Sequence, residues 1–314
     1  MPLSLETTVK FGLMTRLPTR STARETTELL EEAGFDSIWV GDHVAFTSPI
    51  LDPLLQLAQA AAYSDTLTIG TSVYLLPLRP AAAVAKQTSS LDHLSEGRFI
   101  FGVGVGGEFP PEFAACGVPV TERGARLSES IRVVRALWSG EPVSHDGRFW
   151  QFEDVHMQPA AYTNGGPPIW CGGRSPAALR RAGRLADGWI SYVVTPTQFA
   201  ESLEVISEAA AKAKRVQAPF GTAHLLFMRI DDSRDKALDD AAELLSVRYA
   251  MDFRKAADRY CALGNPQDIA DTLHAFHSAG VRQFILDMLG SREERDAQIK
   301  RFTEEVKPLL RFAC

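Results

Sequence analysis

The chain has 314 residues, 45% of them hydrophobic, and carries a formal charge of −6. This mildly acidic balance, with no long basic run, excludes nucleic acid and anionic membrane surfaces as main partners. No apolar run approaches the roughly 20 residues that span a bilayer, and Met1 to Glu6 lacks the basic start and apolar core of a secretion signal.

The first predicted strand runs from Val9 to Met14, and Ser21 or Thr22 is expected to cap the helix after it, Thr22 and Glu25 having capping-box spacing. That helix ends at Ala33-Gly34, and a second strand, Ser37 to Gly41, begins almost at once. Asp52-Pro53 opens a helix to Ala62. A third strand is expected from Leu67 to Leu76, a helix from Pro80 to Glu96, and a fourth strand from Arg98 into Gly102-Val-Gly-Val-Gly-Gly107. Both strands are near-continuous apolar runs, as in parallel strands covered on both faces. Both end in small or hydroxyl residues, at the strand ends where α/β proteins place their chemistry.

A longer helix covers Arg126 to Trp138, and Pro142 to Phe152 alternates around Asp146-Gly147, a strong hairpin signal. The remaining strands are Pro168 to Cys171, Trp189 to Val193, Ala223 to Ile230 and Phe284 to Leu289. Helical stretches separate them: Thr197 to Lys212, material reaching Ala262, a restart at Asn265-Pro266, and a charged amphipathic helix at the end. One joint recurs, a helix closed by glycine and followed by a buried strand, at Gly34, Gly97, Gly188 and Gly280. Repeated helix-Gly-strand units imply parallel strands with right-handed crossovers. The predicted fold is an α/β (β/α)8 TIM barrel with a small hairpin insertion before the fifth strand, residues 1–314 forming one domain. An open doubly wound sheet is the alternative. Cys116, Cys171, Cys261 and Cys314 stand far apart with no histidine at ligand spacing, so neither a disulfide nor a metal site is expected, and a cytoplasmic protein fits.

Three constellations could carry chemistry, each with a plainer reading beside it. Asp42-His43 follows the second strand, where a histidine suits proton transfer near neutral pH or serves as a structural ring bonded to a loop carbonyl. The glycines from Gly102 to Gly107 suit either close approach to a flat ring or tight strand packing. They do not suit a dinucleotide fingerprint, because Glu108-Phe-Pro-Pro111 does not open the required helix in the right place. Gly172-Gly-Arg-Ser175 lies between a strand and a helix, where bare amides and the helix dipole favour an anion or form an ordinary turn. Glu108 is a strand-end carboxylate able to orient a substrate, or a surface acid. No His-x-His, strand lysine or Gly-x-Ser-x-Gly elbow supports a hydrolase or Schiff-base enzyme.

Trp39-Val-Gly-Asp-His-Val44, Ile69-Gly-Thr-Ser-Val73, Leu76-Pro-Leu-Arg-Pro80, Gly97-Arg98, Arg123-Gly-Ala-Arg-Leu127, Gly147-Arg-Phe149, Pro167 to Gly173 and Ala186-Asp-Gly-Trp189 together resemble the luciferase-like monooxygenase superfamily. Within it the resemblance is closest to the coenzyme F420-dependent oxidoreductases. It implies a barrel holding a flavin-type cofactor at the carboxyl ends of its strands, against a non-prolyl cis peptide at Ser72-Val73. Thr71, Ser72 and Val73, with Gly104, Gly106 and Gly107, would line the ring, and Asp42 is counted with these cofactor contacts. Gly172 and Gly173 would hold the cofactor phosphate, and Arg174 is the one basic residue suggested for its acidic tail. His43 matches the histidine that moves a proton near the reactive carbon, and Glu108 falls near its acidic partner. The implied activity is hydride transfer between F420 and a small organic substrate, in a homodimer. The alternatives are an FMN-dependent two-component monooxygenase and a non-catalytic flavin-binding barrel.

Overall fold

The structure, a computed structural model, describes residues 3–107, 109–215 and 219–312. In chain order its elements begin with β1 (Lys10–Thr15), α1 (Arg20–Glu32), β2 (Ser37–Val40), α2 (Pro53–Ala61), β3 (Thr68–Thr71), α3 (Ala81–Leu94) and β4 (Phe99–Val103). There follow α4 (Pro110–Ala115), α5 (Arg123–Leu137), β5 (Pro142–Asp146), β6 (Gln151–His156), β7 (Ile169–Gly172), α6 (Pro176–Leu185), β8 (Gly188–Tyr192) and α7 (Pro196–Lys212). The last third contains β9 (Gly221–Ile230), α8 (Arg234–Tyr249), α9 (Arg254–Tyr260), β10 (Ala262–Gly264), α10 (Pro266–Ser278), β11 (Gln283–Met288) and α11 (Arg292–Arg301).

Parallel pairing runs β1-β2-β3-β4-β7-β8, then β8 with β9, β9 with β11, and β11 with β1, so the ring closes on itself with eight strands. This is the expected (β/α)8 barrel. β5 and β6 form the separate antiparallel hairpin before the fifth barrel strand. Closure leaves the barrel strands no free edges, which is why they can be apolar on both faces.

The barrel is filled from below. Trp39 and Trp170 stack inside it with ring centroids 5.7 Å apart. Their neighbours must be bare: a Cβ on Gly70 would stand 2.4 Å from the Trp39 ring, and one on Gly221 would stand 2.2 Å from Trp170. At the amino-terminal end, Phe11 packs on Phe284 and Phe302, and Phe35 also meets Phe302. The open space therefore lies at the carboxyl end.

Several local expectations are corrected. α1 is capped by Thr19, whose hydroxyl accepts from the Thr22 amide at 3.1 Å; neither Ser21 nor Thr22 is the cap. β3 stops at Thr71, short of Leu76; the cis peptide Ser72-Val73 follows, then a lone bridge from Tyr74 to Val103 and a 3₁₀ turn at Leu76–Leu78. The apolar run continues through these elements because Tyr74 to Leu78 are buried as the strand is, so hydrophobicity alone did not mark the strand's end. The helical material expected up to Ala262 breaks at Ala250, which takes a left-handed conformation, and ends before β10, a three-residue strand too short to show a period. Among the described residues, no helix is long and apolar enough to cross a membrane.

Candidate active site

A cavity of about 860 Å³ opens at the carboxyl ends of the barrel strands. Asp42, His43, Ser72, Val73, Gly104, Gly106, Gly107, Gly172 and Gly173 all border it. Along β3, β4 and β7 its floor is largely main chain. Gly106, Gly107 and Gly173 have φ of +59°, +106° and +113°, backbone conformations that leave the surface without side chains. Val73 is clasped between glycines: a Cβ on Gly104 would stand 2.4 Å, and one on Gly172 2.8 Å, from its methyl groups. The carbonyl of Gly173 accepts from the buried Trp189 indole N–H at 2.7 Å, which pins the turn leading into α6.

His43 stands on the wall of this cavity. Its Nδ1 lies 3.2 Å from both carboxylate oxygens of Glu112, whose side chain is 1% exposed. Glu112 also accepts from the Val44 amide at 3.2 Å, and Phe46 stacks on the imidazole with centroids 3.9 Å apart. A carboxylate only accepts, so Nδ1 carries the hydrogen and Nε2 is the basic nitrogen. α4 makes the pair possible. The two prolines that spoil a dinucleotide motif do begin a helix, at Pro110, and Glu112 sits in its first turn. Proline at the first helical position followed by an acid is a helix-start signal that could have identified this residue. Glu108, the acid implied by the resemblance, lies outside the described residues.

Asp42 turns the other way. Arg79 donates to both of its oxygens, at 2.6 and 2.8 Å, and the Leu75 amide donates at 2.8 Å. Burial works against the Arg79 charge, but the Asp42 carboxylate outweighs it and raises the guanidinium pKa. Arg79 also lies 4.3 Å from the Tyr74 ring centroid. This network ties the segment after β2 to the segment after β3. Thr71 is fully buried and donates to the Gly102 carbonyl at 2.7 Å, joining β3 to β4 instead of bordering the cavity. Arg174 donates to the Val193 carbonyl at 2.9 Å and borders a second pocket of about 400 Å³ between α6 and α7.

Comparison with known proteins gives the chain's relatives. The chain is 28% identical to an F420-dependent glucose-6-phosphate dehydrogenase from Beutenbergia cavernae, over 91% of this chain and 92% of that protein. It is 30% identical to 4-hydroxyprotoasukamycin monooxygenase from Streptomyces nodosus subsp. asukaensis, over 70% of this chain and 61% of that one. The coenzyme F420-dependent tetrahydromethanopterin reductase of Methanopyrus kandleri has the same fold, with a TM-score of 0.80 at 20% identity, covering 97% of this chain and 100% of that one. Residues 3–305 match the luciferase-like monooxygenase family over nearly the whole length, and the chain belongs to that family.

Proposed function

We propose that the protein is an oxidoreductase that passes a hydride between a small organic substrate and coenzyme F420. One juxtaposition carries this reading: a histidine–carboxylate pair and a floor of bare main chain border the same cavity. The floor suits a planar heterocycle, because Gly104, Gly106, Gly107, Gly172 and Gly173 border the cavity without side chains, and a Cβ at Gly104 or Gly172 would displace Val73. About 860 Å³ lies towards the upper end of the usual range for small-molecule sites, roughly 300–1,000 Å³, and accommodates a ring and a substrate together. Gly172, Gly173 and the first turn of α6 offer amides and a positive dipole end to the cofactor phosphate.

When bound, the deazaflavin supplies a carbon that takes up or releases the hydride. The chain's own residues do the rest. His43 holds or moves the accompanying proton at Nε2. Glu112, to which we assign the acidic-partner role, fixes the imidazole tautomer and stabilises its charged form. Phe46 covers one face of the ring, and the Asp42–Arg79 pair positions Val73 and Leu75 on the cavity wall.

The F420-dependent dehydrogenase relative spans nearly all of this chain and supports the reading. The monooxygenase relative favours reduced FMN and oxygen as a second reading, over a smaller share of the chain. Titrating the purified protein with each oxidised cofactor, followed by quenching of cofactor fluorescence, separates them. Saturable F420 binding and anaerobic turnover are expected. Tight FMN binding with substrate-dependent oxygen uptake, and none for F420, would overturn the proposal. His43→Ala should lower turnover by two or more orders of magnitude, about 3 kcal/mol, with little change in cofactor affinity. Near-normal turnover in that variant would remove His43 from the mechanism. The proposal retains the expected cytoplasmic homodimer, and sedimentation across a concentration series tests the dimer.

A further inference from the structure

The cavity extends well beyond the glycine floor. Its opposite half is built from the ends of β1, β9 and β11 together with α8, and four arginines border it: Arg16, Arg248, Arg292 and Arg295. Three of them have acidic partners. Arg248 meets Asp287 at 2.6 Å, Arg292 meets Glu25, and Arg295 meets Asp296 at 2.6 Å. Arg16 has no side-chain hydrogen bond and no carboxylate within ion-pair distance among the described residues. Desolvation and then the adjacent positive charge of Arg248 lower its pKa, and the Asp287 carboxylate, committed to Arg248, offsets this only in part.

The rest of this half is apolar or already committed. Phe46, Ile50, Leu225, Phe227, Leu244 and Val247 border it, Val247 being 80% exposed at the rim. Several of its polar side chains are engaged internally. Thr15 accepts from Arg295, Gln56 holds the Leu17 amide and the Leu51 carbonyl, Ser191 pairs with His224, and Ser291 caps α11. A sugar would find few free partners for its hydroxyls here. A phosphate dianion would meet the Asp287 carboxylate beside Arg248, whereas two guanidiniums against one carboxylate leave room for a single negative charge.

We propose that the substrate is a monoanionic organic acid with an apolar body, and that Arg16 is the specificity-determining residue that receives its carboxylate. The inference rests on the F420 reading only in leaving the glycine floor to the cofactor. It sets this chain apart from its sugar phosphate-oxidising relative.

The test uses isothermal titration calorimetry on the full-length protein with a homologous series of phenylalkanoates, their neutral amides, and glucose 6-phosphate, each with and without saturating F420. The best phenylalkanoate should bind about tenfold more tightly than its amide, as one charge-assisted hydrogen-bonded pair provides. In Arg16→Met that preference should vanish, while amide binding and F420 affinity stay unchanged. Retention of the preference in Arg16→Met would overturn the proposal, as would no binding across the series, or tighter binding of glucose 6-phosphate. Loss of F420 affinity in Arg16→Met would also overturn it, assigning the arginine to the cofactor's acidic tail. If F420 does not bind at all but the Arg16-dependent preference for carboxylate persists, the cofactor reading falls and this one stands.

Discussion

Asp42 and His43 are neighbours in sequence, yet the structure sends one carboxylate to Arg79 and turns the imidazole to Glu112. Consecutive residues leaving a strand face opposite ways, so the divergence follows from the backbone. The partners did not, because Glu112 lies 69 residues further along the chain and only the fold brings it to His43. His224 makes a different residue-scale argument. It is fully buried, stacks on Phe276 at 4.2 Å and meets the Ser191 hydroxyl through Nδ1 at 2.8 Å, while its Nε2 has no partner among the described residues. Burial pushes its pKa down to about 3. The unfolded chain, titrating near 6.5, therefore takes up the proton first. This residue costs no stability above about pH 6.5, and costs about 1.4 kcal/mol per unit as pH falls from there towards the folded value. His224→Leu removes the titration and leaves the Ser191 hydroxyl its 3.2 Å bond to the Ala223 carbonyl. Urea unfolding at pH 7 and pH 5 should show the parent losing about 2 kcal/mol more than the variant between the two. Equal losses would mean that His224 is protonated in the folded protein.

At the scale of elements, the segment from Ser72 to Arg79 joins the wall that carries His43 to the glycine floor. Val73 is held on both sides, and as a β-branched residue it has few other rotamers available. Gly104→Ala places a methyl 2.4 Å from a Val73 methyl, so one of them must move. The substitution should cost about 1–3 kcal/mol of stability, typical of overpacking, and weaken cofactor binding. Val73→Ala in the same background should restore more than half of both losses. Chemical denaturation and F420 titration of the two single variants and the double variant measure the coupling, and purely additive effects would show that the two side chains do not compete. This segment also shows how far the sequence was legible at this scale. The strands and the helices closed by Gly34, Gly97 and Gly280 could be read because each carries a buried apolar face, whereas Gly188 closes no helix: α6 ends at Leu185 and Gly188 is already the first residue of β8. The end of β3, the short helix α4 and the three-residue β10 could not, since an apolar run keeps the same composition whether it continues as strand, turn or 3₁₀ helix.

For the molecule as a whole, the barrel divides its labour between its two ends. Closure was legible from eight repeated units, but the contents of the mouth were not. Arg16 follows β1 while Arg248 and Asp287 come from the last quarter of the chain, and no local pattern links residues that meet only when β11 closes on β1. The amino-terminal end does no chemistry in this picture. There Phe302, fully buried, packs on Phe11 with centroids 5.3 Å apart and on Phe35 at 5.8 Å, sealing the barrel with the last turns of the chain. Phe302→Ala should therefore lower global stability by about 3–5 kcal/mol, the range for emptying a buried aromatic site. It should leave the mouth intact, because Phe302 does not border the cavity. Ligand-linked stabilisation separates the two effects. F420 at 100 times its dissociation constant adds about 2.7 kcal/mol to any fold that binds it with unchanged affinity. Denaturation of parent and variant, each with and without the cofactor, should give the same increment on two different baselines. A much smaller increment in Phe302→Ala would show that the two ends of the barrel are coupled, and the mouth could then no longer be treated as a site built on a rigid base.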